Sequence, residues 1–330
     1  MKGKSFDLVV VGSTNQDISL RVQRLPRPGE TAIAAESFTG IGGKGANQAV
    51  AAAFAGASTA FIGCIGSDDV GASVRAILEK TAVDSAYLSE HPTLPTGRAF
   101  IAVDAAGENS IIVDPGANHG LGPREAVKSL EMLLEANGPT RPVVLMQGEL
   151  RGSVVDAVAA LTRRADLRFV LNLAPPVPVE RETLVVCDPL VLNESEAQHL
   201  ASELLSPDVG SAPTEELANA LAHTLQTSLV VTTGKEGALI VEGSRRWRQP
   251  APEPSDVVDT TGAGDAFTAV LASALSAGDS LERAVRLAVA AGSHAVTGEG
   301  AASSFIDGAT LAQVVDSVPA AVEIVNLPVS

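Results

Sequence analysis

The stretch Leu8-Val9-Val10-Val11-Gly12-Ser13-Thr14-Asn15-Gln16-Asp17 is four aliphatic residues that end abruptly in glycine and small polar side chains. A strand with one wet face would show a polar residue at every second position, and 8–11 shows none. Both faces must therefore be covered, as in an interior strand of a parallel sheet packed between helices. The same pattern recurs at 59–65, 143–146, 169–171, 190–192 and 229–232. Helical periodicity falls between these runs, at 46–55, 70–80, 123–136, 154–164 and 214–225. Pro123 suits a first helical turn. Three further helices are predicted at 263–276, 281–296 and 310–318. This order is that of a doubly wound α/β sheet. Two regions break it: 18–22 with 31–38, and 98–103 with 110–113, read as hairpins about the turns 26–29 and 105–109. The expectation is a single domain over 1–330, with a small β-sheet lid built from segments near 15–42 and 96–115.

Composition narrows the function. With 23 Lys and Arg against 39 Asp and Glu, the net charge is −16. Such a surface repels phosphate backbones and anionic lipid, and 3% aromatic content leaves few platforms for stacking bases. Neither nucleic acid nor membrane is an expected partner. The basic start, Met1-Lys2-Gly3-Lys4, is followed by an apolar run too short for a secretory signal. The uncharged stretch 49–66 is mostly alanine and glycine, and reads as a buried helix followed by a buried strand rather than a membrane span. Cys64 and Cys187 sit among apolar residues and read as buried thiols, and the five histidines form no metal-binding pair. A cytoplasmic protein is expected.

Four clusters carry chemistry. Asn15 and Asp17, two apart in extended chain after the first strand, present an amide and a carboxylate on one side, where they would hold vicinal hydroxyls or form an Asx turn. Gly40-Ile41-Gly42-Gly43-Lys44-Gly45-Ala46-Asn47-Gln48 matches a dinucleotide fingerprint in letters, but follows a lid strand instead of the first core strand. It reads better as bare backbone leading into a helix N-terminus, with Asn47 facing a polar ligand. Asp259-Thr260-Thr261-Gly262-Ala263-Gly264-Asp265 opens an apolar helix, so the N–H groups of Gly262, Ala263 and Gly264 make an anion hole backed by the helix dipole. Asp265 there is either a helix cap or a base beside the bound anion. Asn193-Glu194-Ser195-Glu196 suits an N-cap box and, equally, the orientation of a hydrated Mg²⁺. Arg245-Arg246-Trp247-Arg248 reads as an exposed hairpin edge rather than a nucleic-acid stripe.

Together these pieces resemble the ribokinase-like carbohydrate kinase family over nearly the whole chain. The residues 12–17 look like its first sugar-binding turn, 42–49 like its first signature, and 259–265 like its second. Asn172-Leu173-Ala174-Pro175 and 193–196 match two further landmarks. The resemblance implies a helix-flanked sheet with a β lid, and ATP-dependent phosphorylation of a sugar hydroxyl, ribose giving ribose 5-phosphate. It implies that Asn15, Asp17, Gly43, Lys44, Gly45, Ala46, Asn47 and Glu149 bind the sugar. Asn193, Thr232, Gly234, Gly237 and Gly264 would line the ATP site, with Asp265 as the base and the 262–264 amides on the phosphates. Glu196 would hold Mg²⁺ through water. A K⁺ activator would lie against Asp259, Thr261, Ala295, Gly298, Gly300 and Ser304. It also implies a homodimer through the lid, to which Ile18, Leu20, Val22, Ile33, Ile101 and Val103 would contribute apolar surface. Gly148, Val289 and Gly298 depart from residues common in the family. A kinase for deoxyribose, another pentose, a hexose or a nucleoside is the alternative. A regulator that has lost catalysis is disfavoured by the intact Asp265.

Overall fold

The computed structural model describes residues 5–206, 209, 212–253 and 256–324. The Met1–Lys4 segment read above lies outside them. The chain alternates β1 (Leu8–Val11), β2 (Asn15–Arg21), β3 (Glu36–Gly42), α1 (Lys44–Phe54), β4 (Thr59–Gly66), α2 (Asp69–Lys80), β5 (Asp84–His91), β6 (Gly97–Val103) and β7 (Asn109–Asp114). It continues through α3 (Pro123–Asn137), β8 (Val143–Gln147), α4 (Gly152–Arg164), β9 (Phe169–Asn172), α5 (Arg181–Val185), β10 (Cys187–Asn193), α6 (Glu194–Leu204), α7 (Thr214–Leu225) and β11 (Leu229–Thr232). The last elements are β12 (Ala238–Glu242), β13 (Arg245–Gln249), α8 (Ala263–Ser276), α9 (Leu281–Ala295), α10 (Gly308–Val314) and β14 (Val322–Glu323).

A ten-stranded sheet runs β14-β13-β12-β11-β10-β9-β8-β1-β4-β5. It is parallel from β11 to β5 and antiparallel beyond β11. The absence of polar residues in β1 has its cause here. Leu8 and Val10 pack among α1, α2, α8 and α9, while Val9 and Val11 pack among α3, α4, α6 and α7. The uncharged 49–66 stretch is the end of α1 followed by β4, which is buried throughout. Cys64 and Cys187 are buried and free. Among the described residues no helix is long and apolar enough to cross a membrane.

The two hairpins join into one four-stranded sheet, β3-β2-β6-β7, in which β2 and β6 pair in parallel. The second lid strand differs from the expected 31–38. It spans Glu36–Gly42, with Gly42 opposite Asn15 and Gly40 opposite Asp17. Gly40 and Gly42 are therefore strand residues, while Gly43 caps α1 and Gly45 lies in its first turn, as the approach to a helix N-terminus expected. A Cβ on Gly42 would lie about 2 Å from the Asp17 carboxylate, so the site needs bare backbone there.

Arg245–Gln249 is the second strand of a hairpin with β12 and exposes Arg245 and Arg248, but it is not the sheet edge, since β14 pairs outside it. Trp247 is 1% exposed. Its ring lies 5.0 Å beneath the Arg245 guanidinium, which itself pairs with Glu282 at 2.9 Å. Arg248 pairs with Glu215 through Nε at 2.6 Å. These arginines are balanced by carboxylates, so no basic stripe is presented.

Candidate active site

The chain order reverses at β1, which lies between β8 and β4. The crevice of an open parallel sheet opens at such a switch point, beyond the carboxyl ends of the strands. Three loops meet there: residues 12–15 after β1, 148–149 after β8, and the 42–44 turn into α1. They are packed to backbone contact. A Cβ on Gly45 would lie 2.5 Å from Ser13 N, and one on Gly148 would lie 1.8 Å from Pro175 O. The latter leaves no room for any side chain at 148, where the resemblance implied a larger one.

Asp265, in the first turn of α8, is 6% exposed. Its carboxylate accepts from Asn47 Nδ2 at 2.9 Å and from Gln48 Nε2 at 3.0 Å, both amides being carried by α1. It also faces the Lys44 ammonium, whose pKa it raises. This carboxylate does not cap its own helix: no side-chain bond caps α8, and Gly262 holds the N-cap position at φ +82°. A Cβ at 262 would lie 2.7 Å from the Ala301 Cβ, so glycine is required there by backbone and by space. Ala263 N–H closes a turn on Thr260 O at 3.3 Å. Among the described residues the N–H groups of Gly262 and Gly264 have no partner, so the anion hole is narrower than the three amides expected.

Asp17 lies beside this centre. Its pKa is raised to about 7 by burial, then by the charges of Glu149 and Asp265. Its Oδ1 is buried with no hydrogen-bond partner, and so is Asn47 Oδ1. An unmet acceptor in a buried position costs about 1–3 kcal/mol, and a ligand that donates to it recovers this. Asn15 lies on the same face of β2: its Oδ1 accepts from Asn118 Nδ2 at 2.8 Å, so its own nitrogen is the atom left to donate. Two acceptors and one donor around one cleft fit a polyol, whose hydroxyls both give and accept. Glu149 is brought to the same place, but its Oε2 is used internally, accepting from Ser13 Oγ at 2.6 Å and from Lys44 N at 2.9 Å.

On the other side of Asp265 lies a cavity of about 380 Å³. Thr232, Gly234, Gly237 and Gly264 line it. Val257, Phe267, Val289 and Val296 give it apolar walls of the kind that take a planar base. Asn193 is not on that wall. Its Oδ1 accepts from Glu196 N at 2.8 Å, while Glu196 Oε2 accepts from Asn193 N at 2.7 Å, completing the N-cap box of α6. Burial raises the Glu196 pKa, and its Oε1 has no partner among the described residues. That oxygen, a hard donor near Lys44, fits a hydrated magnesium ion.

Asp259 ties two loops together. Its Oδ1 accepts from Thr261 N at 2.9 Å and its Oδ2 from Gly300 N at 3.0 Å. Burial pushes its pKa up, but these bonds outweigh it and hold the carboxylate below its usual range. Gly298 and Ser304 lie together beside this loop, a Cβ on Gly298 falling 2.9 Å from the Ser304 Cβ. Ala295 O receives the Gly298 N–H at 3.3 Å. Among the described residues no three His, Cys, Asp or Glu side chains gather as a metal cluster.

Three residues of the site were not foreseen. Gln48, within the quoted glycine-rich segment, bridges Asp265, Asn172 Oδ1 at 3.1 Å and Gln147 Nε2 at 2.7 Å. Gln147 ends an apolar strand, and a lone amide at a strand's carboxyl end was the available signal. Asn118 follows Pro115-Gly116 and reaches Asn15 across 103 residues, which no local pattern shows.

A buried carboxylate aimed between a hydroxyl-binding cleft and an anion-binding helix start defines a phosphotransferase acting on an alcohol, and comparison with known proteins agrees. The model of the pfkB family of carbohydrate kinases matches residues 5–307, and the chain belongs to that family. It is a carbohydrate kinase. Ribokinase of Bacillus subtilis is 35% identical over 295 residues, 89% of this chain and 94% of that one. The structure of Arabidopsis thaliana ribokinase complexed with ribose and ATP superposes with a TM-score of 0.82 at 31% identity, covering 94% of this chain and 99% of that one. Deoxyribokinase of Salmonella typhi is 30% identical over 91% of this chain and 95% of its own length.

Proposed function

We propose that this enzyme phosphorylates D-ribose at its 5-hydroxyl, with ATP as donor and Asp265 as general base. One observation carries the reading: two buried, partnerless acceptors, Asp17 Oδ1 and Asn47 Oδ1, stand beside a carboxylate at the start of α8. Asn15, Asp17 and Asn47 would hold sugar hydroxyls, with the 43–46 backbone as the floor and Glu149 bracing Ser13 and Lys44 around them. The cavity bounded by Thr232, Gly234, Gly237 and Val289 would take the nucleotide, with its terminal phosphate toward Gly262 and Gly264. Likeness to a ribokinase complexed with ribose and ATP supports both ligands, and likeness to a deoxyribokinase keeps deoxyribose as the competing substrate.

The chemistry needs little covalent help from the protein, because the transferring phosphoryl group carries its charge on its own oxygens. Asp265 accepts the proton of the attacking hydroxyl. Asn47 and Gln48 fix its two oxygens, so the basic lone pair is directed before substrate arrives. The amides of Gly262 and Gly264 stabilise charge on the phosphoryl oxygens, and the α8 dipole adds to them. Mg²⁺ held through Glu196 would neutralise the phosphates when bound. The lid excludes water that would otherwise take the phosphoryl group. A monovalent cation against Asp259 and the carbonyls of the 295–304 loop would hold that loop away from the phosphates. The lid also joins two copies into a homodimer, and the setting is the cytoplasm.

Asp265→Asn tests the base. It keeps the size of the side chain, gives up one of the two amide donors that Asp265 accepts from, and loses basicity, so kcat should fall by about 10²–10⁴ with ribose KM changed little. A variant within about threefold of wild type would remove the assignment. Comparing kcat/KM for ribose with that for 2-deoxyribose decides the substrate.

A further inference from the structure

Asn118 sits where the chain crosses between the main sheet and the lid. It lies in the 3-10 turn Gly116–Gly120 that follows β7 and is 2% exposed. Its side chain is committed to the first crossing. Oδ1 accepts from Thr14 N at 2.9 Å, and Nδ2 donates to Thr14 O at 3.1 Å and to Asn15 Oδ1 at 2.8 Å. The second crossing, residues 95–97, is held against it. Ala117 N donates to Pro95 O at 2.7 Å, and a Cβ on Gly97 would fall 2.2 Å from Asn15 Oδ1 and 2.4 Å from Asn118 Nδ2. Asp68, at the N-cap of α2, fixes that second crossing to the core by accepting from Thr96 N at 3.0 Å and Thr96 Oγ1 at 2.6 Å.

The directions of these bonds fix two amide orientations. A backbone N–H only donates, so the Asn118 atom facing Thr14 N is oxygen and its other terminal atom is nitrogen. That nitrogen needs an acceptor, so the Asn15 atom facing it is oxygen. Asn15 is thereby left with its nitrogen for the cleft it shares with Asp17, and nothing among the described residues accepts from it. Turned over, Asn15 would place nitrogen against nitrogen at Asn118 and offer the cleft a third acceptor beside Asp17 and Asn47. A cleft of acceptors alone cannot bond the lone pairs of a sugar oxygen.

We propose that Asn118 is a positioning residue that holds Asn15 as the donor of the sugar site, and that it does so from the point where two lid crossings are pinned. Lid posture and hydroxyl reading are then set by one side chain that never touches substrate. This rests on the reading of Asn15 as a ribose ligand.

The test is a double-mutant cycle on the full-length enzyme, read as ribose KM, ATP KM and kcat for wild type, Asn15→Ala, Asn118→Asp and the pair. Asn118→Asp keeps the acceptor for Thr14 N, loses the donations to Thr14 O and Asn15 Oδ1, and sets a carboxylate oxygen against Asn15 that favours its turned-over amide, so ribose KM should rise about tenfold or more while ATP KM holds and kcat stays within about threefold. In the Asn15→Ala background the same change should add no more than about twofold, since its target is gone. Should Asn118→Asp fail to fold, Asn118→Ser carries the same comparison. A ribose KM within twofold of wild type overturns the proposal. So do independent, multiplying effects in the pair, or a loss spread evenly over both KM values and kcat. If Asn15→Ala alone leaves ribose KM unchanged, the assignment of Asn15 as a ligand fails first and the proposal falls with it.

Discussion

At the scale of one residue, Asp17 shows what a binding site costs its own fold. Its carboxylate is enclosed beside two others, and one of its oxygens has no partner until a ligand supplies one. With its pKa raised from 3.8 to about 7, the folded enzyme keeps a proton that the unfolded chain has already released. The sign follows from proton counting. Between about pH 4 and pH 7 the folded state binds more protons, so stability falls as pH rises through that window and levels off above it. Asp17→Asn removes the titration. Its melting temperature relative to wild type should therefore climb between pH 5 and pH 8, while its ribose KM rises tenfold or more. In wild type, kcat/KM for ribose should fall below pH 7 as Asp17 protonates and ceases to accept from hydroxyls, with a smaller effect on ATP. Persistence of that acid limb in Asp17→Asn would assign it to another group.

At the scale of elements, the strands of 8–11, 143–146 and 229–232 were legible because their neighbours bury both faces, and burial on both faces writes itself as unbroken apolar sequence. β5 was not legible for the converse reason. It is the last strand of the sheet, and Asp84, Ser89 and Glu90 give it the polarity of a loop. α6 was missed although its cap box was read, since Glu194, Glu196, His199 and Glu203 dilute its apolar stripe. The site divided similarly. Asn15, Asp17, Asn47 and Asp265 stood in short local patterns, whereas the Gln48–Gln147–Asn172 bridge joins three elements and exists only in the fold. Asp259 belongs to this scale too, because it couples the turn before α8 to the loop after α9. A large, weakly hydrated cation beside that ionised carboxylate would offset its charge near a polyanion. Activity is expected to be several-fold higher in potassium than in sodium or a bulky organic cation at matched ionic strength, and Asp259→Ala should lose the difference. Equal rates in the three salts would leave Asp259 as a loop brace alone, with Gly298 marking a site that has lapsed.

At the scale of the whole molecule, the lid carries apolar side chains on both of its faces. Register places Asp17, Ala99, Ile101, Ile111 and Phe38 on its ligand face. Ile18, Leu20, Phe100 and Ile112 lie on the opposite face. The residues expected to form one apolar surface are thus divided: Ile18 and Leu20 point away from the cleft, Ile101 and Val103 point with Asp17, and Val22 is buried. Ile33 is 89% exposed, but outside the sheet. Both faces keep exposed apolar side chains: Phe38, Ile111 and Val113 on the ligand side, and on the outer side Phe100 at 40% and Ile112 at 69%, directly paired across β6 and β7, with Ile18 in register beside them. A four-stranded sheet with apolar side chains on both faces is marginal in water by itself, since only one face can close over a ligand. A second copy of the same lid would cover the other by twofold self-complementarity. Sedimentation at micromolar concentration should then give twice the 33.6 kDa chain mass. Ile112→Asp, which puts a charge in that face without touching Asn15 or Asp17, should give the single-chain mass. Because the dimer would brace the lid over the cleft, the same variant should raise ribose KM several-fold while leaving ATP KM alone. A wild-type enzyme that sediments at the single-chain mass across that concentration range would mean that the lid closes unaided, and that its outer face is simply exposed.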